Sequence, residues 1–200
     1  MTSRERIIQT IHHQQPDRVP VDLGSTGQTG MSASTMYRLR AALGLQNHPI
    51  EISEIFQMLG KVDEDLLRYA GGDVIGLNNP VNMLGVPDGP LKSFTMPDGT
   101  PTLISEGNQY DQLPDGSIQM YPCGDRTAPP SVHMPAGGSF FDNINRSPDF
   151  DEDNLTPAED FKQDFGILDD ATARYLEEKS KLLYEGTDYA IIGNLGGAGL

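Results

Sequence analysis

Apolar and polar positions alternate in blocks that switch between a helical and an extended period. Ile7, Ile8 and Ile11 recur at helical spacing behind Thr2-Ser-Arg-Glu5, a capping box that satisfies the free N–H groups of a first turn. Pro16 ends that helix, and Val19 to Leu23 then reads as a short buried strand. The strand runs into a glycine and hydroxyl loop, and a helix from Thr35 to Leu43 follows, with its N-terminus at Ser32 or Ser34. Its spacing turns Met36, Leu39 and Leu43 inward and Arg38 and Arg40 outward, and Gly44 stops it. A second helical region covers Ile52 to Tyr69, broken near Gly60, with Asp63 as cap of its second half. Gly71-Gly72 closes it, and Asp73 to Leu77 reads as a second strand. Helix, strand, helix, helix, strand is the alternation of a parallel α/β sheet.

The pattern changes over residues 80–150. Pro-Asp-Gly stands at 87–89, 97–99 and 114–116, each a turn signal: fixed φ, a side chain that bonds its own backbone, and a permitted positive φ. Short alternating runs, Thr102-Leu-Ile-Ser105 and Ser117-Ile-Gln-Met-Tyr121, lie between them. The expectation is a β-hairpin or small meander inserted between core units, followed by a proline-rich loop from Pro122 to Gly138. The flanks of the three turns differ too much for a solenoid.

An acidic linker, Asp149 to Asn154, precedes a second capping box at Thr156-Pro-Ala-Glu159. A long helix from about Asp170 to Glu185 carries Tyr175, Leu176, Leu182 and Leu183 on one stripe and closes at Gly186. Tyr189 to Gly193 is the third core strand. An eight-unit barrel needs about 250 residues, so this pattern reads as roughly its first three β/α units.

Composition narrows the function classes. At 36% hydrophobic residues and 22 glycines in 200, the balance is that of a globular chain with one domain's worth of core. A net charge of −15 argues against sequence-independent nucleic-acid binding and against docking on anionic membranes. No window approaches the roughly 18 apolar residues of a membrane span. The single cysteine, Cys123, excludes an internal disulfide and suits a reducing, cytoplasmic compartment.

In α/β folds ligands bind where strand C-termini meet helix N-termini. Asp22, Ser25 and Thr26 end the first expected strand, Asn78 and Asn79 the second, and Asn194 the third. All are able to hydrogen-bond a substrate; Asp22 is equally able to cap the loop's own N–H groups. Gly24, Gly27 and Gly30 lack the Gly-Lys-Ser/Thr ending of a phosphate loop, and Gly193 to Gly199 lacks dinucleotide spacing. Asp149, Asp151, Asp153 and Asp160 fall at calcium-loop spacing, but Asn154 replaces the turn glycine and Pro157 sits at a ligand position, which favours a solvated linker. Cys123 and His133 are too few for tetrahedral zinc, and His12 and His13 sit on the first helix as packed or solvated side chains.

Glu5-Arg6-Ile7 with its helix, followed by Gln15-Pro-Asp-Arg-Val-Pro-Val21, resembles the opening of the uroporphyrinogen decarboxylase superfamily. Gly30-Met-Ser-Ala-Ser34, Val62-Asp-Glu-Asp-Leu-Leu67 before Gly72-Asp73-Val74, and Leu183-Tyr-Glu-Gly-Thr-Asp-Tyr-Ala-Ile-Ile192 resemble its uncharacterised and methyltransferase-like branch. The resemblance covers most of the chain outside the insertion. It implies an α/β fold of (β/α)₈ TIM-barrel type, here the N-terminal part, with a ligand at the C-terminal ends of the strands. It further implies a tetrapyrrole or corrinoid ligand and a corrinoid protein as partner. A homo-oligomer is also compatible with it. Decarboxylases of the superfamily hold tetrapyrrole carboxylates with arginines after the first strand, whereas Gly24 to Ser34 contains no arginine or lysine. Carboxylates held there without cations would be desolvated uncompensated. The resemblance therefore points to corrinoid-linked methyl transfer from a small methylated substrate, ahead of decarboxylation or a non-catalytic binding fragment. The zinc site of the methyltransferase branch lies in the later half of its barrel, beyond this chain.

Overall fold

The computed structural model describes residues 1–146 and 168–194. Four helices occur among them: α1 (Ser3–Ile11), α2 (Ala33–Ala42), α3 (Glu64–Tyr69) and α4 (Asp170–Gly186). Ten strands form three sheets. The first contains β1 (Ile50–Glu54), β2 (Leu59–Gly60), β4 (Leu91–Thr95) and β5 (Pro101–Ser105), in the order β2-β1-β5-β4. The second contains β6 (Tyr110–Gln112), β7 (Ile118–Met120), β8 (Val132–Met134) and β9 (Asp142–Asn143) in sequence order. The third is a parallel pair, β3 (Val74–Asn78) and β10 (Ala190–Asn194).

This overturns the barrel expected from the sequence. Among the described residues only β3–β10 and β1–β5 pair in parallel; the other pairs are antiparallel and sit in small sheets. The cause lies in the connections. A parallel neighbour needs a long crossover, whereas a tight turn returns the chain antiparallel. Two Pro-Asp-Gly turns do the latter. Gly99 and Gly116 take φ of 84° and 87°, and Asp98 and Asp115 accept bonds from Thr100 N and Ser117 N. These turns close the β4–β5 and β6–β7 hairpins. The turn at 87–89 makes no hairpin and leads directly into β4.

The first two sheets share one apolar cluster. Phe94, Met96, Ile104, Ile118, Met120, Val132 and Met134 pack together, with Ile55, Met58, Leu84, Val86 and Phe141 closing its ends. The residues alternate inward along β5, β7 and β8, as a sheet with one buried face requires. A smaller cluster, Ala33, Met36, Ile50 and Leu66, joins α2 and α3 to β1.

Ile52 to Gly60 is a hairpin and not the start of a helix. The Glu54 carboxylate accepts from Phe56 N at 2.9 Å and Gln57 N at 2.7 Å, which bends the chain. The helix after it begins at Glu64, with Asp63 as its N-cap residue, but the Asp63 side chain makes no capping bond.

The opening helix forms as its capping box predicts: Glu5 N donates to Thr2 Oγ1 and Thr2 N to Glu5 Oε2. Its buried face is another matter. Arg6 turns inward, and Ile8, about 200° further round the helix, is 46% exposed, with Ile11 at 66%. Both α1 and α4 pack on the β3–β10 pair. Arg4 ties the two helices together by donating to the carbonyls of Tyr184, Thr187 and Tyr189 and lying 3.9 Å over the Tyr184 ring.

Val19 to Leu23 is extended but is not a strand. Pro20 has no N–H, and Val21 N donates to the Asp73 carboxylate at 2.9 Å instead of to a neighbouring backbone. Only Asp73 N to Val21 O, 2.7 Å, resembles a ladder bond. Arg40 corrects a second expectation. It is 1% exposed and turned inward, where the Asp65 carboxylate and the Gln46 carbonyl receive its guanidinium.

No helix among the described residues is long and apolar enough to cross a membrane. The acidic linker, the candidate calcium loop and the second capping box all lie outside the described residues.

Candidate functional site

The parallel register of β3 and β10 runs from Val74 opposite Ala190 to Asn78 opposite Asn194. The strands therefore end together, and Asn194 Nδ2 donates to Asn78 Oδ1 at 3.2 Å. Both asparagines are exposed. They keep further donor and acceptor capacity, because a carboxamide offers two N–H bonds and two lone pairs.

Gly76 brings a third segment to this end. A Cβ placed on it would lie 2.0 Å from the Ser25 carbonyl oxygen and 3.3 Å from Asn78 Nδ2. Only glycine allows the 22–25 turn to approach so closely. That turn is braced internally: Ser25 Oγ donates to Asp22 Oδ2 at 2.7 Å and Ser25 N to Asp22 Oδ1 at 3.3 Å. Ser25 is buried and Asp22 half-buried. Asp22 thus caps its own turn, the plainer of its two expected roles.

The structure therefore gathers Ser25, Asn78 and Asn194 at one end of the strand pair, with Asp22 behind Ser25. Thr26 precedes a 3₁₀ turn, Gly27–Thr29, without capping it through its side chain. Asn79 follows β3 and is half-buried. Cys123 is exposed in the 3₁₀ turn Pro122–Gly124, and His133 lies on β8 opposite Gln119 and Asp142. No group of three or more His, Cys, Asp or Glu side chains able to hold a metal occurs among the described residues.

Charge is concentrated at the opposite, N-terminal end of the strands. Asp73, with no exposure, accepts from Arg6 Nη1 at 2.5 Å, from Arg18 Nη1 and Nη2 at 2.8 and 2.9 Å, and from Val21 N. Asp17 takes the rest of the Arg6 guanidinium at 2.6 and 2.8 Å. Burial pushes the Asp73 carboxyl up, but the bonds from Val21 N, Ser3, Arg18 and Arg6 outweigh it and hold the group below the ordinary carboxylate range. The Arg6 guanidinium lowers Asp17 to about 2.

Sequence patterning missed this network, because a lone Arg on an apolar helix reads as solvated. The available signal was Asp73 itself, an acid at the head of a strand between Ala70-Gly71-Gly72 and Val74-Ile75-Gly76-Leu77. The strand-end segments, residues 22–34, 74–79 and 190–194, contain no lysine or arginine. What the arrangement offers there is neutral hydrogen bonding plus one braced carboxylate. Comparison with family models, with curated proteins and with solved structures gives no match to this chain.

Proposed function

We propose that the C-terminal ends of β3 and β10 bind a small polar ligand, and that the chain serves corrinoid-linked methyl transfer in the cytoplasm. The observation that carries the reading is the convergence of the Asn78–Asn194 pair with the Ser25 turn across Gly76. The resemblance of residues 5–21, 62–74 and 183–192 to the uroporphyrinogen decarboxylase superfamily supplies the chemical class.

Electrostatics favours this ligand class over a polycarboxylate. Arg6 and Arg18 are engaged at the far end of β3, and the strand-end segments carry no cation to compensate a desolvated carboxylate. Neutral carboxamides suit a ligand that presents amides or hydroxyls. Asp22 is occupied in bracing the Ser25 turn, so these residues bind and orient. A corrinoid, when bound, would supply the methyl-carrying chemistry, and a separate corrinoid protein is the partner this reading expects.

The test is a titration of cobalamin with the protein, followed by its visible absorption spectrum. A saturable spectral change that weakens at least tenfold in Asn78→Ala/Asn194→Ala supports the reading. Absence of any change at millimolar cobalamin would remove the corrinoid assignment.

A further inference from the structure

Residues 44–49 link α2 to β1 and cross an open cleft of about 370 Å³, lined by Arg40, Gln46, His48, Asp63, Glu64, Asp65 and Arg68. Two contacts hold the link down. The Gln46 carbonyl accepts from Arg40 Nε at 3.1 Å and Nη2 at 2.6 Å. The His48 ring spans the cleft, with Nε2 at 3.0 Å from Asp63 Oδ2 and Nδ1 at 3.0 Å from the Pro49 carbonyl.

Both ring nitrogens of His48 thus face oxygens that only accept. A neutral imidazole carries one N–H, so it satisfies one of these oxygens; the imidazolium satisfies both. The surrounding charges set the balance. Asp63 stands at the N-cap position of α3, and its carboxylate is shared with Arg40 Nη1 at 3.2 Å. Asp65, on the first turn of α3, is bound in two places by Arg40, which holds its carboxyl below the ordinary range. Arg68 is taken by Glu64 four residues before it. Three carboxylates and two guanidiniums therefore line the cleft, and a protonated His48 brings that set to neutrality.

We propose that His48 is a proton-dependent latch: its imidazolium pins residues 44–49 against the head of α3, and loss of the second proton frees them. Arg40 is the fixed point, buried and charged throughout, while His48 is the part that changes. Since the protonated form makes the extra bond, the latch is closed on the acid side and opens as pH rises. This device is independent of the strand-end site.

The test is amide hydrogen exchange of Leu45, whose N–H donates to the Arg40 carbonyl at 3.0 Å at the start of the link. Rates at pH 5.5 and 8 are compared after correction for intrinsic chemistry. Protection is expected to fall about two- to fivefold at pH 8, the size of effect a half-exposed pair provides. His48→Gln is expected to remove that pH dependence. Equal protection at the two pH values, or an unchanged fall in His48→Gln, would overturn the latch. His12, His13 and His133 lie on other elements and leave this local readout unaffected.

Discussion

Arg6 Nη1 lies 2.5 Å from Asp73 Oδ1, across 67 positions of sequence, at a carboxylate with no solvent exposure. The contact fixes the opening helix to the head of β3, and Arg18 and Val21 N complete the carboxylate's shell. The chain from 17 to 21 is thereby held beside β3 without a ladder, and this delivers the 22–25 turn to the far end of the strand. One buried acid at one end of β3 thus positions the candidate site at the other.

Asp73→Ala should therefore be among the most damaging single substitutions. It leaves buried Arg6 with Asp17 alone and takes the acceptor from Arg18 and Val21 N, and removing one member of a buried charge network costs about 3–5 kcal/mol. Urea denaturation should show the midpoint falling accordingly. A loss below about 1 kcal/mol would mean that the network behaves as a surface pair.

Acid should loosen the same region. The Arg6 bond lowers Asp17 from an ordinary 3.8 to about 2, so the folded value lies below the unfolded one. Its contribution is complete above about pH 4 and is lost as pH falls through about 2. Asp73 shifts in the same direction. Chemical denaturation at pH 5, 3 and 2 should show stability falling across that window, with a shallower fall in Asp17→Asn.

Gly76→Ala tests the close approach of the turn to β3. Its Cβ would meet a backbone carbonyl, Ser25 O, at 2.0 Å, and a carbonyl has no rotamer to yield. We expect a loss of about 1–3 kcal/mol, the usual cost of overpacking, together with loss of ligand binding. Retained binding with wild-type stability would show that the turn does not need that contact.

The capping box at Thr2 and Glu5 was plainly legible, because both partners lie within one turn and the geometry is local. Thr2→Ala should cost about 1 kcal/mol, read as a lower thermal midpoint. The two hairpin turns, the helix at 170–186 and the strands at Asp73 and Tyr189 were legible for the same reason, to within a residue or so at each end. The failures are non-local. Val19 to Leu23 has a strand's composition, but whether it joins a ladder depends on Asp73, more than 50 positions away. Ile52 to Gly60 carries apolar residues compatible with either period, and Glu54 settles the outcome by bonding the backbone after it. The inward turns of Arg6 and Arg40 depend on carboxylates elsewhere in the chain. Of the candidate site residues, Ser25, Asn78 and Asn194 were named by the rule of strand ends, and the structure places them at one end of the β3–β10 pair even though the expected barrel is not formed. Thr26 was named by position alone, and no contact joins its side chain to the others.

On the proposed reading, the paired asparagines at the ends of β3 and β10 receive the ligand. The most direct measurement follows the side-chain amide signals of Asn78 and Asn194 in nitrogen–proton correlation spectra while cobalamin is added. Saturable shifts of both signals, with the Ser25 backbone amide moving alongside them, are the predicted result. Shifts confined to residues elsewhere, or none at a cobalamin concentration that perturbs its own spectrum, would contradict the assignment of this site.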